Sequence, residues 1–289
     1  LAEPFVRGMN NGALNFKDKT THAEFALRAL PSARAASLIG QLVKQRELPS
    51  DGSGPLIELI GAAGGANELG ILYMQLLQNG FEAEVVPRVL SALARAAYFR
   101  NVRPVGDLSG IGQFIETEDD ATRNFAVQLA GAWKRAELVG PLLVIAASGS
   151  GVAYDSLVEI RGSKVMVGLK KLTQKDNPIA TRQAAARALG RMNLKGSLNE
   201  IFDVLNDVKD TNVALELWRE LLTSRNAGTI LAGAIAGAQL SRQNVNAGIR
   251  AAQEGGRNEK ALIEAAEDFF ATFSIDVEAM LPELPRPDR

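Results

Sequence analysis

Apolar and polar positions along the chain recur in a nine-residue frame about every thirty residues. Its clearest copies are Arg123-x-x-Ala126-x-x-Leu129-Ala130-Gly131 and Arg182-x-x-Ala185-x-x-Ala188-Leu189-Gly190. Leu157-x-x-Ile160-x-Gly162 repeats the frame between them without the arginine. Leu215-x-x-Trp218 and Arg242-x-x-Val245-x-x-Gly248-Ile249 follow. Ala26-x-x-Ala29-Leu30, Leu56-x-x-Leu59-Ile60-Gly61 and Pro87-x-x-Leu90 precede. A fixed period of this length predicts stacked supersecondary units, none able to bury its apolar face alone. The fold expected is an all-α solenoid of about eight helical hairpins.

Each unit reads as two antiparallel helices. Asn177-Pro178 predicts a helix start, with the asparagine as cap and proline at the first helical position. Ile179, Ala180, Ala184, Ala188 and Leu189 then recur at helical spacing, and Gly190 closes the helix. A second helix is expected over about 194–205. The copy after Asp119-Asp120 predicts a face of Ala121, Phe125, Leu129, Ala132 and Trp133. The period predicts helical units over 20–275, with 1–19 an extension or partial helix and 276–289 a tail. One long interval, with an inserted loop near 99–112, is rich in turn residues and reads as a binding loop or an ordinary insertion.

Composition narrows the chemistry more than it names it. In 289 residues there is no cysteine, so disulfides, thiolate metal sites and thiol catalysis are excluded. His22 is the only histidine, and its place before an apolar helical stretch suits a cap or surface residue better than a catalyst. No window approaches eighteen uninterrupted apolar residues. The chain begins at Leu1 and ends in Leu284-Pro-Arg-Pro-Asp-Arg289, and is expected to be a segment of a longer or processed protein.

Charge is uneven beneath a net of −1. Residues 123–195 carry twelve basic and four acidic side chains, whereas 196–289 carry nine basic and fifteen acidic. The basic middle fits a solvated face, an acidic protein or self-contact, or nucleic acid. Its candidate interaction surface is Arg161, Lys164, Lys170, Lys171, Lys175, Arg187, Arg191 and Lys195. Arg123, Arg182 and Arg242 share one repeat position and, with Gly131 and Gly190, read as structural. Such arginines can ladder to the adjoining unit or line a concave face.

Other motifs fit the period. Leu142–Ala146 followed by Gly149-Ser-Gly151 mimics a dinucleotide loop, but Tyr154 stands where the third glycine belongs. A helix ending at Ser148-Gly149 accounts for it. Glu116, Glu118, Asp119 and Asp120 suit a helix N-terminus, without the ligand alternation of a calcium loop. Trp133 and Trp218 fall late in repeat helices, where core packing competes with base stacking.

With these repeats in view, the chain resembles the HEAT-repeat family in its short bacterial form. The likeness rests on Arg-x-x-Ala-x-x-(Leu/Ala)-(Ala/Leu)-Gly at 123–131 and 182–190 and covers about 22–252. A narrower resemblance lies in Trp218–Ser224, Ala232–Leu240, Ala247–Ala252 and Gly256-Arg257. That run is similar to the HEAT segment of large exported bacterial proteins joining a dehydrogenase-like β-propeller to a c-type haem domain. The resemblance implies a non-catalytic scaffold, spacer or protein-interaction segment, in an extracytoplasmic setting, with a cytoplasmic one as the alternative. No haem-attachment motif occurs, so no cofactor or metal is expected here. The alternative function is a nucleic-acid-binding, repair-like HEAT protein using 123–195.

Overall fold

Seven of the repeat frames begin within helices, and what lies between them turns the chain back. The computed structural model describes residue 8 and residues 30–45, 48–254 and 259–280. Among the described residues the chain is all-α, with fourteen α-helices, four short 3₁₀ turns and no strand. The helices are α1 Ser32–Gln45, α2 Leu56–Ala63, α3 Ala66–Leu77, α4 Val86–Arg100, α5 Asp120–Ala132, α6 Val139–Ala147 and α7 Gly151–Ile160. They continue as α8 Ser163–Leu172, α9 Ile179–Asn193, α10 Leu198–Asp207, α11 Thr211–Leu221, α12 Ala227–Ile235, α13 Arg242–Gln253 and α14 Lys260–Met280. The frames fall in α2, α4, α5, α7, α9, α11 and α13. The frame at Ala26–Ala29, His22 and the expected extension 1–19 (residue 8 apart) lie outside the described residues, as does most of the expected tail.

Local chemistry starts several of these helices. Asp119 accepts from the Thr122 amide at 2.7 Å ahead of α5, and Asp210 accepts from Asn212 at 2.8 Å ahead of α11. Ser241 does the same for α13 at 3.3 Å. Each satisfies an amide that the first helical turn leaves open. Asn177 does not cap α9. Its side-chain amide donates to the Lys171 carbonyl at 3.0 Å, tying off the end of α8, and α9 begins at Ile179 without a side-chain cap.

The chain divides into two compact units, residues 1–145 with 155–160 and residues 146–154 with 161–289. In the first, α2 packs on α4 and α4 on α5, with α3 alongside α1, α2 and α4. Its core includes Ile60, Leu69, Leu72, Leu90, Leu93 and Ile111, each fully buried. In the second, α8 packs on α9, α9 on α10 and α11, α11 on α13, and α14 against α12 and α13. Trp218, at 0% exposure, sits in that core with Phe202 and Leu231.

The buried faces are rotated from those the sequence predicts. In α5 they are Thr122, Ala126, Val127, Leu129, Ala130 and Gly131, while Ala121 is exposed. In α9, Thr181, Arg182, Ala185 and Ala186 join Ala188 and Leu189, and Ile179 and Ala180 lie outside. Neighbours on two sides widen the buried stripe beyond a single amphipathic face.

The inserted segment begins at Asn101, because α4 runs on to Arg100. It is a packed strip rather than a free loop. The Val105 amide donates to the Ala66 carbonyl at 3.0 Å, the Tyr73 hydroxyl to the Leu108 carbonyl at 3.1 Å, and Ile111 and Ile115 are buried. Residues 101–115 thus cover α3, and the 3₁₀ turn Ser109–Phe114 packs on α5.

Candidate interaction surface

Glycines set how closely the frame-bearing helices approach. A Cβ on Gly61 would stand 2.9 Å from both the Ala92 Cα and its carbonyl oxygen. At Gly131 it would stand 2.7 Å from the Ser156 Cα. At Gly190 the obstacle is only the tip of the Leu221 side chain, 2.6 Å away. The thirty-residue period then reappears in the polar bonds. In the first unit Tyr98 donates to the Gln128 carbonyl at 3.1 Å and Ser156 to that of Val127 at 2.8 Å. In the second, Tyr154 reaches the Thr181 carbonyl at 3.2 Å and Trp218 that of Asn244 at 2.9 Å. Many side chains therefore bond residues between 25 and 40 positions away.

The three repeat arginines take different roles. Arg182, 5% exposed, donates to the Thr173 carbonyl at 2.9 Å and to Asp207 at 2.7 Å, joining α9 to the end of α10. Arg123 bonds locally, to the Thr117 carbonyl at 2.7 Å and to Asp120 in its own first turn. Arg242 is exposed at the first position of α13.

The structure sorts the basic segment into two sets. Lys170 pairs with Glu200 at 2.6 Å, Lys175 with Asp207 at 3.8 Å, and Arg187 with Glu220 at 3.3 Å. These cations meet carboxylates of the acidic segment within the second unit, which explains why charge divides near residue 195. Arg161, Lys164, Lys171 and Lys195 are exposed and make no ion pair among the described residues. Arg191 is exposed on α9. The α8 helix buries Val165, Gly168 and Leu169, so Lys164, Val167 and Lys171 form its outward stripe, with Val167 55% exposed. Lys195 lies next to Gly196, whose carbonyl accepts from Lys170 at 3.3 Å. Arg161 and Gly162, both with positive φ, make the turn into α8.

A second surface escaped the sequence. Gly61, Ala62, Arg95, Phe99 and Arg100 line an open groove of about 500 Å³, with Phe99 84% exposed. Arg100 forms one wall and donates to the carbonyls of Gly64 at 2.8 Å and Gly61 at 2.9 Å, satisfying the end of α2. The spacing of Val89, Ala92 and Ala96 extrapolates to a buried residue at 99. Gly61 and Ala62 are too small to cover the ring there. A further groove of about 460 Å³ runs along the inserted segment, between Arg103, Val105, Asp107 and Arg135.

Neither tryptophan is available for stacking on a base. Trp133 is buried edge-on to Tyr73, with ring centroids 5.2 Å apart, and Trp218 is enclosed. Burial raises the Tyr98 hydroxyl above its ordinary range, reinforced by the Glu159 carboxylate, to which it donates at 3.4 Å. Hydrogen bonding to Arg219 lowers Glu254. Burial accounts for most of the first shift and the Arg219 hydrogen bond for most of the second. Leu142–Ala147 is helical and ends before Gly149, whose φ is +101°, so that glycine run belongs to a helix–turn–helix. Among the described residues no three His, Cys, Asp or Glu side chains converge as a metal requires, and no helix is long and apolar enough to cross a membrane. No protein-family model matches the chain, and no curated protein matches it.

Proposed function

We propose that the chain is a HEAT-like α-solenoid segment of a larger bacterial protein, a non-catalytic scaffold that offers its surface to a protein partner or to neighbouring domains. The observation supporting this reading is the set of polar bonds at 25 to 40 residues' separation. Within each compact unit they join residues about one repeat length apart, as nearest-neighbour stabilisation of a repeat protein would. Exposed side chains that the period does not consume, chiefly Lys164, Val167, Lys171 and Phe99, then form the surface available to others.

Nucleic-acid binding is the second reading, favoured by Arg161, Lys164, Lys171 and Lys195, exposed and without an ion pair among the described residues, and opposed by the burial of both tryptophans. Fluorescence anisotropy with labelled duplex and single-stranded DNA separates the two. The scaffold reading expects nothing tighter than the non-specific range, Kd roughly 1–100 µM at physiological salt. A tighter, steeply salt-dependent Kd overturns it. In parallel, capture of native proteins on the immobilised chain is expected to fall several-fold with Lys164→Glu and Lys171→Glu together.

A further inference from the structure

The repeat supplies counter-charges to Lys170, Arg182 and Arg187 of α8 and α9 but leaves Lys164 and Lys171 on α8 without one among the described residues. Glu200 lies thirty positions beyond Lys170, whereas the corresponding positions for Lys164 and Lys171 are Leu194 and Ile201, both buried. Nor does Lys164 serve its own helix. It stands in the first turn of α8, where the macrodipole disfavours a cation and no acidic residue compensates. At the other end of the same unit the situation is reversed. Glu264 and Glu267 share an exposed face of α14 and make no ion pair among the described residues. The α12 helix, against which α14 packs, contains no charged residue at all.

We propose that the chain associates head to tail with a second copy of itself, the Lys164–Val167–Lys171 stripe of α8 docking on the Glu264–Glu267 stripe of the other copy's α14. The stripes are complementary in charge, and the folded unit keeps them apart. The α8 helix packs on α9, α14 on α12 and α13, and α9, α10 and α11 come between them in the chain. Lys164 and Lys171 are about 10 Å apart along their helix and the two glutamates about 5 Å along theirs, separations that flexible lysine stems span. Val167 lies between the lysines and gains apolar cover from the glutamate stems. Because the two surfaces differ, the contact is heterologous and extends to chains or closes into rings. Exposed pairs contribute little individually, so the association is weak, reversible and screened by salt.

The inference rests on the scaffold reading only in treating the α8 stripe as a contact surface, and it is tested on the purified chain alone. Sedimentation velocity over a concentration series should show a rising average sedimentation coefficient at about 0.05 M salt, lost at about 0.5 M, where the screening length has shrunk to a few ångströms. Lys164→Glu with Lys171→Glu, or Glu264→Lys with Glu267→Lys in a separate chain, should each weaken self-association by roughly tenfold. Mixing the two variants should restore it, since each then offers what the other lacks. The neutral pair Lys164→Gln and Lys171→Gln should fall between, and stands in if a reversal impairs folding. Concentration-independent sedimentation of the wild type at low salt, or a mixture that stays dissociated, overturns the proposal. Intact partner capture beside that result overturns self-association alone.

Discussion

The two units of this chain share one way of joining repeats, side chains bonded to backbone carbonyls, and the second adds another. In the first, long side chains chiefly reach backbone carbonyls: Arg88 those of Gly52 and Gly54, Arg100 those of Gly61 and Gly64, Tyr73 that of Leu108, and Tyr98 that of Gln128. The Arg88–Glu58 pair is the first unit's analogue of what the second adds to its own carbonyl bonds, such as Tyr154 to Thr181 and Trp218 to Asn244. There Lys170, Arg182, Arg187 and Arg219 meet the carboxylates of Glu200, Asp207, Glu220 and Glu254 in a later helix or just beyond one. A carbonyl acceptor leaves no trace in the sequence, whereas a carboxylate partner leaves a charge. Part of the basic middle and of the acidic end is therefore adhesive between repeats, and the remainder is surface to explain.

Arg182 is the sharpest place to break that contrast. Replacing it by methionine keeps much of the volume but leaves Asp207 with Lys175 alone, at 3.8 Å, and strands the Thr173 carbonyl. Losing one partner of a buried ion pair costs about 3–5 kcal/mol, and the partial exposure of Asp207 lowers the expectation here to about 2–3 kcal/mol. Arg100→Met in the first unit removes bonds to carbonyls at a part-exposed site and should cost about 1 kcal/mol. Urea denaturation followed by amide exchange in each unit measures both. Equal losses would remove the distinction between the two modes of joining.

Close approach differs between the units in the same way. Gly61→Ala drives a methyl group into the Ala92 backbone, which cannot rotate aside, and should cost about 2 kcal/mol. Gly190→Ala meets only a leucine tip, and the helix gains about 1 kcal/mol in propensity, so the net change should be near zero. Thermal melts of the two variants decide it. A Gly190→Ala chain as damaged as Gly61→Ala would mean that Leu221 is as fixed as backbone.

Much of this was legible in the sequence, and the failures have physical causes. All-helical character and the placement of frames in helices follow from period and composition, because small residues must recur wherever helices touch. The face of α9 was misplaced because a helix with neighbours on two sides buries Thr181 and Ala186, which lie off the stripe that the sequence spacing marks out. Asn177 looked like a cap, yet ends the preceding helix, since both uses need the same residue at the same turn. The inserted segment reads as a loop from its glycines and prolines, but its hold on α3 lies in the Ala66 and Leu108 carbonyls, and backbone is silent in sequence. At the candidate surface, eight basic residues were named together. Which of them are spare depends on acidic residues 30 to 33 positions away, visible only once folding brings them close. Phe99 carried no signal, because the i, i+3, i+4 rule points it inward.

Alkaline pH probes the smallest difference, through two tyrosines that each donate to a backbone carbonyl about one repeat away. Tyr154, in the second unit, is pushed up to about 12 by burial alone. Tyr98, in the first, is raised by burial and then by the charges of Glu159 and Asp155. Both folded environments favour the neutral phenol. The stability they support is fully present below the ordinary tyrosine value of about 10 and is lost as pH climbs through 10 to 12. Far-UV melts at rising pH should be level up to about 9.5 and decline beyond it. Tyr98→Phe removes a phenol held up partly by carboxylates at an exposed site, so difference absorbance near 295 nm should show its ionisation moving down when salt is added. The Tyr154 ionisation should not move, because desolvation is not screened. A Tyr154 titration that shifts with salt as far as that of Tyr98 would show charge reaching the second-unit tyrosine, and the two repeat contacts would then be of one kind.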